Sequence, residues 1–156
     1  MSKKYEILND STNILNLMNI SLHRIRALQD FGSVSKGEIG GYVEKEENLD
    51  QQGNAWISED AKVYSNAFVS DNAQIYGNAR IYGDSLVYEN ASVYGFAKVC
   101  GDAIIYGNAK VFGYSWIYDK SKICGNAEIF GYAIIAKSFI NGEDKIYGNP
   151  LLYQQS

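Results

Sequence analysis

Residues 79–96 read ARIYGD, SLVYEN and ASVYGF, three six-residue units, or hexads, that each place Ile or Val two residues after a small residue. The spacing extends far beyond this stretch. Fourteen positions in steps of six, from Ile57 to Ile135, are all Ile or Val, and thirteen positions from Ala61 to Ala133 are all Ala or Ser. We term these the aliphatic and the small positions. A repeat this short predicts one structural unit stacked on copies of itself.

Strand geometry explains the hexad. The small and the aliphatic position are two residues apart, so in an extended chain both side chains point to the same face. The last two residues of each hexad are left to turn a corner. Pairs such as Gly77-Asn78 and Gly83-Asp84 occupy these corners, and such residues accept a positive φ at low cost. The pattern predicts a prism whose interior holds one aliphatic and one small side chain per side.

The pattern resembles the hexapeptide repeat of left-handed parallel β-helices, in which three hexads make one triangular coil. The resemblance covers residues 57 to about 140. It implies an all-β fold, a left-handed parallel β-helix with three hexads per coil and a small N-terminal β cap. The left hand follows from the resemblance, because parallel crossovers are otherwise right-handed in nearly all cases. A right-handed β-helix is the alternative.

A second resemblance is narrower. Residues Arg24 to Leu28, Gly40 to Glu44, Asn48-Leu49 and the recurring Tyr-Gly-Asn-Ala are similar to a family common in phages and prophages. Its members are described only by general class, as transferases or polymer-forming proteins. The resemblance implies a phage-encoded protein.

Three segments are predicted: a capping segment at 1–38, the β-helix at 39–140 and a C-terminal cap or tail at 141–156. In the cap, Lys4 to Leu8 and Leu22 to Leu28 are predicted strands, separated by a turn-forming polar run, Asn9 to Asn13. Leu15, Leu17 and Met18 could equally begin a short helix.

The repeat is incomplete at both ends of the predicted helix. Val43, Leu49 and Ala55 fall six apart and lead into the small positions, so residues 39–54 are interpreted as an imperfect first coil. After Ile135 the rhythm fails, since Phe139 falls on a small position and Asn141 on an aliphatic one.

Composition restricts the partners and the compartment. The formal net charge of -4 argues against nucleic acid as the main ligand. No apolar run reaches the length of a membrane span and no signal sequence follows Met1, so we expect a cytoplasmic protein without a membrane partner. Cys100 and Cys124 are separated by four hexads, which is not a multiple of three hexads. They therefore lie on different sides of a three-sided coil, and this argues against a disulfide between them.

Stacking sorts the outward residues onto three sides, because positions separated by three hexads lie on neighbouring strands. One side carries an aromatic column from Tyr76 to Phe130, which we interpret as structural. Another side is apolar on the outside, and soluble monomers seldom leave such patches bare. It is the predicted interface, for a protein partner or a second copy of the chain, and is formed by Phe68, Leu86, Tyr88, Ile104, Tyr106 and Ile140. The alternative is that a terminal segment folds over it.

The remaining side is basic and aromatic in its N-terminal half. Lys62, Arg80 and Lys98 stand beside Tyr64 and Tyr82, and this set is the predicted secondary binding face. Three cations on an acidic protein more often form a solvated surface than a nucleic-acid site.

Many proteins with this repeat are acyltransferases, which use a histidine as general base at a subunit junction and often have a loop inserted in a coil. Here the single histidine is His23, which lies N-terminal to the repeat. The fourteen aliphatic positions also follow one another in steps of six, with no inserted loop between them. β-Helical carbonic anhydrases bind zinc through three histidines, which this chain cannot supply. We therefore expect no catalytic residue, no cofactor and no metal.

These observations predict a non-catalytic protein-binding scaffold. The phage-like resemblance suggests an inhibitor of a bacterial defence system, such as an anti-CRISPR protein that binds a host nuclease or defence complex. The alternatives are a hexapeptide-repeat acyltransferase and a self-assembling structural protein.

Overall fold

The fold is all-β with a parallel solenoid, as the repeat predicts. The computed structural model describes residues 2–15 and 19–153, with the backbone alone at 10–15 and at 153. Its elements are β1 (Tyr5–Leu15), β2 (Ile20–Ala27), β3 (Ile39–Val43), a 3-10 helix (Glu46–Asn48), β4 (Trp56–Ile57), β5 (Lys62–Val63), β6 (Phe68–Val69), β7 (Gln74–Ile75), β8 (Arg80–Ile81), β9 (Leu86–Val87), β10 (Ser92–Val93), β11 (Lys98–Val99), β12 (Ile104–Ile105), β13 (Lys110–Val111), β14 (Trp116–Tyr118), β15 (Lys122–Ile123), β16 (Glu128–Ile129), β17 (Ile134–Ala136), β18 (Phe139–Ile140), β19 (Lys145–Ile146) and β20 (Leu151–Tyr153).

Every third strand of the solenoid joins the same sheet. The first sheet runs β1-β2-β3-β5-β8-β11-β14-β17-β20, the second β4-β7-β10-β13-β16-β19 and the third β6-β9-β12-β15-β18. Within the repeat the strands pair in parallel with a shift of three hexads, as Val63 with Ile81 and Val87 with Ile105. The prediction of three hexads per coil is confirmed. The hand of the winding stays a prediction.

The interior of the prism is continuous and closed to solvent. All fourteen aliphatic positions from Ile57 to Ile135 have no exposed surface, and the small positions from Ala61 to Ala133 are at most 1% exposed. Each buried aliphatic side chain contributes about 1.5–3 kcal/mol of transfer free energy. Burial along the whole column therefore opposes the entropic cost of ordering these short strands.

The corners need residues that tolerate a positive φ, and the stacking makes some of them require glycine. Gly77 has a φ of 68°, and a Cβ atom built on it would lie 2.9 Å from the backbone nitrogen of Gly95, one coil further on. A Cβ atom at Gly77 would therefore force the neighbouring backbone to move, whereas the corners at Glu59, Asp71 and Glu89 hold side chains at a positive φ.

The first coil differs from the prediction. Val43 pairs with Val63, and Leu49 forms a bridge with Val69, so both occupy aliphatic positions and not small ones. Each separation exceeds three hexads by two residues, because the loop at 51–54 makes the corner before Ala55 longer. The assignment of Val43 and Leu49 to the small positions is therefore wrong.

The N-terminal segment forms an antiparallel pair of strands that extends the first sheet. The turn predicted at Asn9 to Asn13 is wrong, because β1 continues through it with a register shift between Ile7 and Thr12. Leu15 ends this strand, and the helix considered at Leu15, Leu17 and Met18 falls partly at 16–18, outside the described residues. Antiparallel β2 then pairs with β3, which begins the solenoid.

The other end of the solenoid has a shorter coil. Lys122 pairs with Phe139 and Ile123 with Ile140, a shift that falls one residue short of three hexads. Because this coil is one residue shorter, Ile140 turns inward and is only 5% exposed. Phe139 stays on the outer surface and is 58% exposed. The prediction that Ile140 faces outward is wrong for that reason. β19 and β20 extend two of the sheets further, and the boundaries placed at 38 and 140 stay predictions.

Candidate functional site

The predicted interface assembles on the third sheet, and we term it the apolar wall: Phe68, Leu86, Ile104, Tyr88 and Tyr106. Phe68 pairs with Leu86 and Leu86 with Ile104, and all three side chains are half-buried. The rings of Tyr88 and Tyr106 stack with their centroids 5.3 Å apart. Ile140, turned into the core, is not part of this wall. Binding at this surface stays a prediction.

The secondary binding face is brought together only in part. Lys62 pairs with Arg80 and Arg80 with Lys98, which places three cations on adjacent strands. Tyr64 stacks on Tyr82 at 5.1 Å, but Tyr64 is only 2% exposed. Tyr64 therefore cannot offer its ring to a ligand.

A groove runs beside these cations, and neither Tyr64 nor Tyr82 lines it. It has a volume of about 410 Å³ and is lined by Lys62, Asn78, Arg80, Phe96, Lys98 and Tyr114. We term it the basic groove. Phe96 and Tyr114 stack at 5.0 Å, and Tyr114 stacks on Tyr132 at 5.1 Å. Sequence reasoning missed this aromatic column, although its members occupy corner positions separated by three hexads.

Positive charge dominates the basic groove. Burial, followed by the repulsion of Arg80, lowers the pKa of Lys62, while Asp60 acts in the opposite direction. Burial raises the pKa of Tyr64, and the charge and hydrogen bond of Arg80 offset part of that rise. Asp60 itself is paired with Arg24 at 2.9 Å.

A second cavity lies where the cap meets the first coil, and it contains the single histidine. This cavity, the His23 cavity, has a volume of about 390 Å³ and is lined by Lys3, Tyr5, Glu6, Ile7, Asn9, His23, Glu44 and Glu46. β2 positions His23, whose backbone pairs with Val43 on β3. The side chain is half-buried and belongs to the lining of the cavity.

The acidic residues of the His23 cavity are held in place by other contacts. Glu44 accepts a hydrogen bond of 2.8 Å from the backbone N–H of Ser65, and Glu46 pairs with Lys3 at 3.1 Å. Glu6 forms an ion pair with Arg26. Three carboxylates therefore line a fixed and mostly acidic cavity beside the imidazole.

The cysteines are free, as expected from their separation, and both are buried. The indole N–H of Trp116 donates to the Cys100 sulfur at 3.3 Å. Within residues 2–15 and 19–153, no three His, Cys, Asp or Glu side chains are grouped so that they could hold a metal ion. In the same part of the chain no helix is long and apolar enough to cross a bilayer.

The repeat and the three-sheet solenoid define a hexapeptide-repeat β-helix, and comparison with known proteins agrees. A family model described as the YdcK beta solenoid repeat matches residues 73–95. The uncharacterized acetyltransferase YdcK of Escherichia coli (strain K12) is 38% identical over 64 residues. The match spans 40% of this chain and 18% of that relative's length. These findings are consistent with a hexapeptide-repeat β-helix family.

The same findings correct the functional prediction. The relative bears the name of an acetyltransferase from a bacterium, and neither match concerns a phage protein or an anti-CRISPR protein. The expectation of a non-catalytic, phage-encoded inhibitor of a bacterial defence system is therefore wrong. The partner expected for it, a host nuclease or defence complex, stays a prediction. The acyltransferase alternative agrees better with the comparisons.

Proposed function

We propose that this protein takes part in acyl transfer, with the His23 cavity as the site of the acyl acceptor. The observation that carries the proposal is the position of His23. The one imidazole of the chain lines a cavity of about 390 Å³ between the cap and the first coil. The name of the Escherichia coli relative supports the same reaction class.

In this reaction His23 acts as the general base. It removes a proton from the attacking amine or hydroxyl of the acceptor, which requires a contact of about 2.6–3.2 Å in the reacting complex. The acceptor heteroatom bonds to the thioester carbonyl carbon, and the carbon–sulfur bond then breaks. The donor sulfur leaves as a thiolate and takes up the proton held by His23, which gives the free thiol.

The lining of the cavity suggests the kind of acceptor. Glu6, Glu44 and Glu46 line the cavity. Lys3 is paired with Glu46 and Arg26 with Glu6, so three carboxylates and two cations leave a net negative charge. A field of this sign attracts cations and disfavours anions. The proposed acceptor is therefore an amine, such as a polyamine or an amino sugar.

The proposal extends to the compartment and to a second copy of the chain. The coils from β4 to β17 have no inserted loop that could cover a donor. A second copy of the chain is proposed to dock on the apolar wall. We place this assembly in the cytoplasm, where thioester donors are available.

Acetyl-coenzyme A is a suitable probe, because release of its free thiol can be followed in a colorimetric assay. The full chain is incubated with this donor and with spermidine or glucosamine. We expect thiol release above the uncatalysed rate and a loss of about 10²-fold or more in His23→Ala. Ser21→Ala, an exposed change on the same strand, serves as the control and should retain the wild-type rate. Equal rates in His23→Ala and the wild type, or no release in either, would overturn the proposal.

A further inference from the structure

The basic groove has the composition of an anion site, and none of its lining residues is acidic. Lys62, Arg80 and Lys98 lie on three consecutive strands, so their stems are about 5 Å apart along the solenoid. In the part of the chain that the structure describes, no carboxylate forms an ion pair with any of the three. Asp60, the carboxylate that acts on Lys62, is engaged by Arg24.

The N-terminal end of the groove holds Lys62 in a fixed position. The Nζ atom of Lys62 donates to the carbonyl oxygen of Asp60 at 3.1 Å and lies 5.2 Å from the centre of the Tyr42 ring. The guanidinium of Arg24 lies over the same ring at 4.3 Å. Because Lys62 is already held, part of the entropic cost of ordering it for a ligand is avoided.

An aromatic ring with one open face stands beside the cations. Phe96 is the first ring of the corner column and stacks on Tyr114 through the face that points toward the C-terminal coils. One coil earlier, the corresponding corner position is Asn78, and no described ring stacks on that side of Phe96. Phe96 is 50% exposed and Asn78 is exposed.

These features select a ligand that carries both phosphates and a flat ring. Guanidinium and ammonium groups bind phosphate oxygens through charge-assisted hydrogen bonds. A nucleobase stacked on an aromatic side chain gains about 1–3 kcal/mol. An exposed amide such as that of Asn78 can donate to and accept from the edge of a base.

We infer that the basic groove binds a nucleoside diphosphate group, with the base stacked on Phe96 above Asn78 and the phosphates on Arg80, Lys98 and Lys62. The groove volume of about 410 Å³ lies within the range of small-ligand sites, about 300–1,000 Å³. Such a group occurs in free nucleotides and in the nucleotide part of coenzyme A. The inference does not depend on acyl transfer at His23.

Calorimetric titration of the full chain with adenosine diphosphate tests the site. We expect saturable binding of adenosine diphosphate, at least tenfold tighter than that of adenosine or of inorganic pyrophosphate alone. Arg80→Gln and Lys98→Gln should each weaken it about tenfold. Phe96→Ser should weaken adenosine diphosphate and leave pyrophosphate unchanged, because only the base contacts the ring.

Lys110→Gln is the matched control, since Lys110 is an exposed outward cation on the second sheet. It should leave binding unchanged, and circular dichroism should show that every variant is folded. Equal losses in Lys110→Gln and Arg80→Gln, or no binding at millimolar nucleotide, would overturn the inference. Tighter binding of a single-stranded oligonucleotide than of adenosine diphosphate would also overturn it.

A titration with coenzyme A identifies the source of the ligand. Coenzyme A binding more tightly than adenosine diphosphate would assign the site to a thioester donor, whereas weaker binding would assign it to a free nucleotide. Either result supports a nucleoside diphosphate site. His23→Ala should bind adenosine diphosphate as tightly as the wild type does. Binding at the basic groove is therefore tested separately from acyl transfer at His23.

Discussion

The ammonium group of Lys4 donates a hydrogen bond of 3.0 Å to the carbonyl oxygen of Ala55, at the end of the solenoid where the core would otherwise meet water. It also donates to the carbonyl oxygens of Gln52 and Gly53, both at 3.3 Å. Lys4 is 3% exposed and lies 4.8 Å from the centre of the Phe31 ring. One cation therefore closes the longer corner of the first coil.

The burial of Lys4 predicts an unusual dependence of stability on pH. Burial lowers its pKa to about 8, with Asp50 acting in the opposite direction. In the unfolded chain the group keeps its proton up to about pH 10.4. Between these values the unfolded state binds more protons than the folded state, so the free energy of unfolding rises with pH. Below about pH 8 both states are protonated and this contribution is constant.

Lys4→Met tests the effect by denaturant unfolding at pH 7 and pH 9.5. The variant should be less stable at pH 7 by about 1–3 kcal/mol, because buried carbonyl oxygens lose their donor. The difference should grow by about 1–2 kcal/mol at pH 9.5. Measurements stay below pH 10, since burial raises the pKa of Tyr5 and of Tyr82 and higher pH would destabilise the folded state. A difference of the same size at both pH values would contradict the prediction.

Two adjacent isoleucines test the assignment of inward and outward positions. Ile105 has no exposed surface, whereas Ile104 is half-buried on the apolar wall. Ile105→Ala should lower the free energy of unfolding by about 2–5 kcal/mol, through lost burial and the cavity it leaves. Ile104→Ala should cost less than half as much. Urea unfolding of both variants gives the comparison, and equal losses would mean that the two side chains are not on opposite faces.

Much of the core could be predicted from the sequence because its period is strictly local. Every hexad repeats the same choice at two positions, so Ile81 and Ser85 could be placed inside without knowledge of any distant contact. The stacks of Tyr76 on Tyr94 and of Tyr94 on Phe112 follow from the same spacing. The shift of three hexads per coil then determined which outward side chains became neighbours.

The ends and corners could not be predicted, because distant contacts and small changes in length determine them. The longer corner at 51–54 is closed by Lys4, which is far away in sequence. One residue fewer before Phe139 reversed the orientation of Ile140. The stack of Phe96 on Tyr114 does not follow from turn chemistry, because a corner side chain can also pack along the solenoid.

Two glycines separate the effect of a positive φ from that of coil stacking. Gly77 and Gly142 both have a positive φ, of 68° and 77°. A Cβ atom on Gly142 would meet nothing within 4 Å, whereas one on Gly77 would be 2.9 Å from the Gly95 backbone. Gly142→Ala should therefore cost about 1–2 kcal/mol, the strain of the left-handed conformation alone.

Gly77→Ala should cost more than Gly142→Ala, by at least about 1 kcal/mol, because two coils must also move apart. For a chain of this size each kcal/mol lowers the melting temperature by about 2–4 °C, so calorimetry resolves the difference. If both variants melted at the same temperature, the close approach of Gly77 and Gly95 would not constrain the fold.

The apolar wall gives the last prediction, that a second copy of the chain covers it. Leu86 and Ile104 are neighbours on β9 and β12, and their inward neighbours Val87 and Ile105 hold the core. Leu86→Lys combined with Ile104→Lys would place two cations in the interface, where burying unpaired charge costs several kcal/mol. The molar mass measured by light scattering should fall from that of a dimer to that of a monomer, with the fold unchanged.

Gln74→Lys combined with Ser92→Lys is the matched control, because these residues are outward neighbours on the second sheet. It adds the same charge at the same spacing but on a different wall, so it should leave the dimer mass unchanged. The comparison separates a specific interface from general repulsion between more highly charged chains. A wild-type protein that stays monomeric at high concentration, or an equal fall in mass for both double variants, would exclude the apolar wall as a self-association surface.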